Sequence, residues 1–280
     1  MKTPLSLEQR RQLATLLTYC REMGFDFYRN EDDQQLTVDP DPLPSQPVPN
    51  ASPNAVLSEP LPIMPAKTNL LTPPALIDSS SPAIAPAERS AALQAIRREI
   101  GDCTRCQLAF EGRHTIVFGD GDPNAELLFV GEGPGADEDM QGVPFVGRAG
   151  QLLNNMIKAM DLDRQQVYIA NIVKCRPPKN RVPEPAEANT CTQFLFQQIG
   201  IVRPKLMVAL GATAATYLLG AKVSLSVLRG KLHDCMGTKL IVTYHPAYLL
   251  RDPRQKAETW KDLQMAMKFL HLKPPKRTET

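Results

Sequence analysis

Four cysteines stand at spacings that metal sites use. Cys103 and Cys106 form a C-x-x-C, and Cys175 and Cys191 lie further on with 15 residues between them. Four soft thiolates can close a tetrahedral zinc site or hold a cubane iron–sulfur cluster. A redox dithiol at Cys103 and Cys106 is a third reading, although no strand immediately precedes Cys103. Four unrelated buried thiols are the plainer one. Cys175 follows a strand-like run and precedes the loop Arg176-Pro177-Pro178-Lys179-Asn180-Arg181, which favours a single shared site. Cys20 and Cys235 have no partners at ligand spacing and read as core or surface thiols. A second group of residues carries different chemistry: the loop Gly131-Glu132-Gly133-Pro134-Gly135, then Asn171, Gly211 and His245. It combines flexible backbone, an amide that both donates and accepts, and an imidazole. So few charges suit recognition of a neutral heterocycle better than grip on a phosphate.

These residues need a scaffold that brings them together, and the apolar runs describe one. Glu126–Val130, Val167–Val173, Lys205–Leu210 and Lys239–Tyr244 read as strands. Helical segments separate or flank them at Ala91–Ile100, Ala149–Met160, Pro185–Ile199, Ala212–Leu219 and Pro253–Leu270. That alternation predicts an α/β fold: a three-layer α/β/α arrangement with a central four-stranded, mostly parallel sheet covered on both faces. In open parallel sheets ligands bind outside the carboxyl ends of the strands. The Gly131–Gly135 loop, Asn171, Gly211 and His245 all fall at or near those ends. The loop also fits the loose dinucleotide pattern G-x-G-x-x-A, yet the second strand ends in Asn171 rather than an acidic residue, and Pro134 removes one phosphate-cradling amide. Nicotinamide or flavin binding is therefore disfavoured. Asp137, Glu138 and Asp139 at a helix start read as a solvated cluster favoured by the helix dipole. His114 and His271 read as solvated or structural, and His233 is ambiguous.

Composition divides the chain. Of its 26 prolines, 13 fall between Pro40 and Pro86, and no glycine occurs between Gly24 and Gly101. Residues 36–88 therefore read as a Pro/Ala/Ser-rich disordered linker. Ahead of it, residues 1–35 form an expected amphipathic helical segment, with Leu13, Leu16, Leu17, Cys20 and Met23 on one stripe. The globular domain is expected over 89–272, with a basic tail at 273–280. Residues 94–280 carry 25 Lys/Arg against 19 Asp/Glu, while the arm ahead is mildly acidic, and the whole chain sums to +2. A basic domain favours polyanionic partners. No apolar run approaches the ~20 residues of a membrane span, and the N-terminus has no apolar signal core. A cytoplasmic monomer with reduced thiols and no membrane partner is expected.

Several motifs agree in order with one known family. Gly131-Glu132-Gly133-Pro134-Gly135, Pro144-Phe145-Val146-Gly147, Asn171-Ile172-Val173-Lys174-Cys175-Arg176-Pro177-Pro178 and His245-Pro246-Ala247 resemble the motifs of family 4 uracil-DNA glycosylases. Cys103, Cys106, Cys175 and Cys191 resemble that family's iron–sulfur ligands. The resemblance covers about residues 94–270. It implies a monofunctional uracil-DNA glycosylase that starts base excision repair on uracil-containing DNA and carries a structural [4Fe–4S] cluster. Phe145 matches the stacking residue, Asn171 the amide that reads the uracil edge, and His245 the donor to O2. Gly131, Gly133 and Gly135 line the loop around the base. Gly133 stands where better-studied relatives have an aspartate, so Glu132 beside it is expected to position water or backbone, with Asp137, Glu138 and Asp139 close enough in sequence to compete. A related branch traps abasic DNA through a histidine between its third and fourth cysteines, and residues 177–190 here contain none.

The same resemblance implies a DNA surface. Leu249 or Leu250, just after the histidine motif, would wedge into the vacated base stack. Arg148, Lys174, Arg176, Lys179, Arg181 and Arg251 would contact phosphates. A replication or repair protein is the expected partner of residues 1–35. The competing expectation is an iron–sulfur DNA-binding or redox module without glycosylase activity.

Overall fold

The structure, a computed structural model, describes residues 84–273. The amphipathic segment with Cys20, most of the linker and the basic tail beyond residue 273 lie outside the described residues. Pro86–Glu88 form a 3-10 turn that runs directly into α1 (Arg89–Ile100), so the last residues of the expected linker carry regular structure.

The sheet has six strands, in the order β1-β3-β2-β4-β6-β5. Four of them match the apolar runs: β2 (Leu127–Gly131), β3 (Tyr168–Asn171), β4 (Leu206–Leu210) and β6 (Thr238–Thr243). These four pair in parallel. The four-stranded expectation omits the two edges, where β1 (Asp120–Gly121) pairs antiparallel with β3 and β5 (Leu232–Cys235) pairs antiparallel with β6.

The strands are apolar on both faces because helices cover both. Leu128, Val130, Ala170, Met207, Ala209 and Val242 enter one core cluster, shared with α1, α4 (Pro185–Val202) and α5 (Ala212–Leu219). Their neighbours Leu127, Phe129, Ile169, Leu206, Val208 and Ile241 enter the other, shared with α3 (Arg148–Ala159) and α8 (Lys256–Phe269). This is the three-layer arrangement expected, and the period-2 alternation along each strand sends successive side chains to opposite layers. Two short helices border the site, α2 (Ala136–Gln141) and α7 (Pro246–Arg251), and a four-residue turn, α6 (Leu225–Leu228), precedes the β5 edge.

Register fixes what meets at the carboxyl ends. Gly131 lies beside Asn171 across the β2–β3 pair, and Leu210 beside Thr243 across β4–β6. Gly211 then donates its amide to the Thr243 carbonyl at 2.9 Å, which brings the start of α5 against the chain leading to His245.

Candidate active site

Asn171 ends β3 and is 1% exposed, yet its Oδ1 has no hydrogen-bond partner among the described residues. His245 is partly buried as a residue, but its Nε2 is sealed from solvent and equally unpartnered. A buried polar atom without a partner costs about 1–3 kcal/mol, so two at one sheet edge mark a place built for a ligand that supplies both. Phe145 closes the group. Its ring centroid is 5.6 Å from that of His245. A Cβ built on Gly131 would lie 2.4 Å from Asn171 Oδ1 and 2.6 Å from Phe145 Cζ, so the amide and the ring converge over this glycine.

The tautomer of His245 follows from its N-cap position on α7. Its Nδ1 accepts the Ala247 amide at 3.1 Å and must carry a lone pair. Burial above all, with the Arg251 charge adding to it and Glu138 opposing, pushes the imidazole down to about 4. The ring is therefore neutral at pH 7 with its proton on Nε2, the atom left without a partner. It is a preformed neutral donor.

The loop glycines divide in role. A Cβ at Gly133 would meet only Val173 and Pro177 within 4 Å, and one at Gly135 only the Glu138 carboxylate. Of the three, Gly131 alone abuts Asn171 and Phe145. Gly131→Ala should therefore fill the space between the amide and the ring, and the overpacking should cost the fold about 1–3 kcal/mol, which a denaturant titration of the variant measures. Glu132 is fixed by Thr213, whose Oγ1 donates to Glu132 Oε2.

Three expectations fail at the level of side chains. Lys174 contacts no phosphate: it is 1% exposed, and its Nζ donates to Asn171 O at 3.0 Å and Gln198 Oε1 at 2.6 Å. Arg181 is occupied by the Glu187 carboxylate at 2.7 and 2.8 Å and by Glu111 at 3.0 Å. Leu249 is 1% exposed and packs in the core, whereas Leu250 is an exposed large apolar residue, so of the two only Leu250 presents its side chain at the surface. Arg148, Lys179 and Arg251 are exposed, and Arg176 is partly so, held by Asn180 Oδ1 at 2.8 Å.

Of the acidic run after the loop, only Asp137 is exposed as a solvated cluster would be. Glu138 and Asp139 are buried. Asp139 accepts from His114 N at 2.9 Å, His114 Nδ1 at 2.7 Å and Thr115 N at 3.2 Å. Burial raises its pKa, but these hydrogen bonds outweigh burial and hold the carboxyl below its ordinary range. Glu138 accepts from Gly135 N at 3.0 Å and from Val146 N and Gly147 N at 2.9 Å. Its spacing to the Phe145 motif carries no sequence signal; only the fold reveals it. His233 Nε2 lies 2.7 Å from Leu228 O, and Cys235 donates to Leu218 O at 3.0 Å, so both serve the β5 edge.

The four cysteines of the expected set line one apolar cavity with Ile100, Ile116 and Phe194. Burial pushes the Cys106 and Cys175 thiols up, and the Cys191 thiol up to about 12. Arg113 Nη1 donates to Cys175 Sγ at 3.2 Å, Lys174 N to Cys191 Sγ at 3.2 Å, and Arg105 Nη1 to Cys103 Sγ at 3.4 Å. Such outer donors are what sulfur ligands of a metal group use to spread their charge. The donor set thus fits a sulfur-ligated group. Among the described residues no three His, Cys, Asp or Glu side chains stand at the spacing of a single-ion site. No helix among the described residues is long and apolar enough to cross a membrane.

Comparison with known proteins agrees with this geometry. A profile of the Uracil DNA glycosylase superfamily matches residues 118–264. The chain is 41% identical over 186 residues to a type-4 uracil-DNA glycosylase of Thermotoga maritima, covering 65% of this chain and 96% of that protein. It is 38% identical over 191 residues to one of Archaeoglobus fulgidus, with the same coverage of 65% and 96%. A Pyrobaculum aerophilum type-4 enzyme is 41% identical over 181 residues, covering 62% of this chain and 92% of its own. An amide, an aromatic face and a neutral imidazole donor meet at the sheet edge that these matches span, and the chain belongs to the uracil-DNA glycosylase superfamily, among its type-4 members.

Proposed function

We propose that this chain hydrolyses the N-glycosidic bond of uracil in DNA without cleaving the strand. The observation that carries the reading is the pair of buried unpartnered atoms, Asn171 Oδ1 and His245 Nε2, beside the Phe145 ring. Uracil extruded from the stack offers each of them a complement. Its N3–H donates to Asn171 Oδ1, its O4 accepts from the Asn171 amide group, and Phe145 stacks on its face. Cytosine presents the reverse pattern at N3 and N4.

As the C1′–N1 bond breaks, its electron pair moves onto the base and negative charge grows on O2. His245 donates Nε2–H to that oxygen from a buried position, where such a donor is worth about 3–4 kcal/mol. Water forms the new bond to C1′, giving its proton to solvent. Glu132, held by Thr213 on α5, orients that water. None of the described residues that build the pocket is a lysine, and the buried Lys174 amine is engaged by Asn171 O and Gln198 Oε1, so the product is an intact abasic strand.

Cys103, Cys106, Cys175 and Cys191 would hold a structural [4Fe–4S] cluster in this reading. Bound there, it would supply no step of the hydrolysis and would tie the segment after α1, with Cys103 and Cys106, to Cys175 after β3 and to Cys191 within α4. A cubane takes one thiolate at each of four irons, so its ligands need not meet at a point. Iron analysis and visible sulfur-to-iron absorbance of the purified chain test this, and zinc in place of iron contradicts it.

Leu250, exposed on α7, fills the gap left by the base. Leu250→Ala should slow excision from duplex about 10-fold and leave single strands unaffected, because only a duplex closes over the vacancy. Arg148→Ala should weaken binding of every sequence alike and lower the salt slope by about one, read from binding isotherms across salt concentrations. The reading itself is tested on uracil-containing oligonucleotides: free uracil and a strand that breaks only in alkali are expected. A strand cut without alkali contradicts the monofunctional mechanism.

A further inference from the structure

Phe145 is the aromatic wall of the pocket, and its backbone sits in the left-handed region at φ +53°. Few non-glycine residues hold that conformation unless their surroundings impose it. Two charged side chains from different elements do so here. Glu138 of α2 accepts the Val146 and Gly147 amides, each at 2.9 Å, on the downstream side of the ring. Arg164, on the 3-10 turn before β3, donates to Phe145 O at 3.1 Å and Pro144 O at 2.5 Å on the upstream side. Each is anchored elsewhere. Glu138 also accepts from Gly135 N at 3.0 Å, and Arg164 reaches Asn154 Oδ1 and Asp120 Oδ2, both at 3.1 Å. Gly150 completes the fit, because a Cβ there would lie 2.0 Å from Phe145 C and O.

We infer that Glu138 and Arg164 form a two-sided backbone clamp whose work is to hold the strained Phe145 in its stacking position against the Gly131–Gly135 loop. The inference rests on the glycosylase reading for its activity readout, and both are positioning residues, since each acts through Phe145. The carboxylate is needed at Glu138 because both oxygens accept, and the guanidinium at Arg164 because one group must span carbonyls and an amide oxygen at once.

The test uses the full chain on a single-stranded uracil oligonucleotide, with Glu138→Gln and Arg164→Lys each made alone and in a Phe145→Gly background. A misplaced stacking partner typically costs on the order of 10–100-fold, so each clamp variant should lower kcat/KM by about that much. In the Phe145→Gly background, where the ring is gone and the backbone adopts positive φ freely, each should cost less than about 3-fold more. Losses that multiply fully in that background indicate a scaffold role and overturn the clamp. Amide exchange at Val146 and Gly147 gives a readout independent of catalysis: it should accelerate in Glu138→Gln, and unchanged exchange overturns the inference. If Glu138→Gln does not fold, Glu138→Asp, one methylene too short to reach both amides, and Arg164→Lys carry the same comparison. Wild-type chain that releases no uracil defeats the glycosylase reading, and the exchange measurement then judges the clamp alone.

Discussion

His245→Ala should lower kcat about 10²–10³-fold and leave KM within a few-fold. In the proposed mechanism the imidazole donates to an oxygen whose charge grows only as the glycosidic bond breaks, so its loss is felt in the transition state. A single-turnover rate on saturating single-stranded substrate isolates that step. The pH profile of the wild type carries a companion expectation. Because the folded ring takes a proton only near pH 4, the acid limb due to His245 should lie there and not near 6.5. Protonation at Nδ1 would also break the bond from the Ala247 amide. The sign for stability is the same: the unfolded chain gains a proton on this residue below about 6.5 and the folded chain does not until about 4, so stability declines as pH falls through that window. His245→Asn should flatten that part of the stability curve, read by denaturant titration at several pH values.

Asn171→Ala should have a comparable or larger effect, about 10²–10⁴-fold in kcat/KM for uracil. It removes both hydrogen bonds to the base edge and leaves uracil N3–H and O4 desolvated without partners. Selectivity is the sharper readout. In the proposed pose, cytosine would meet Asn171 donor to donor and acceptor to acceptor, which a site built for hydrogen bonding rejects strongly. The variant should lose most of its uracil rate while its preference for uracil over cytosine narrows. Parallel rates on oligonucleotides differing only in that base measure it. Retained selectivity would move the reading of the base edge to another residue. Asn171 also anchors Lys174 through its main chain, so the side-chain change leaves that buried support in place.

Much of this site is legible in the chain because parallel strands buried on both faces write themselves as apolar runs. Each run of β2, β3 and β6 ends near a residue of distinct chemistry: Gly131, Asn171 and His245. Strand ends and ligand sites coincide in such sheets, which is why order along the chain translates into proximity. The edges carry no such signal. β1 is two residues long, and Leu232-His233-Asp234-Cys235 of β5 is too polar and short to read as a strand. Charge misleads for a physical reason. Lys174 and Glu138 look like surface residues, but beyond local bonds to Asn171 O and Gly135 N their partners are a side chain 24 positions away and main-chain amides eight and nine positions on, contacts that no local pattern encodes. Leu249 and Leu250 differ only by about 100° of helical phase, which decides which one is core and which faces out.

The most direct measurement of the central claim is release of free base from paired single-stranded oligonucleotides, one bearing uracil and one bearing cytosine at the same position, by the wild-type chain. A pocket whose amide and neutral imidazole complement uracil predicts prompt uracil release, an alkali-labile abasic strand and no detectable cytosine release. Equal release of both bases, or of neither, would contradict it.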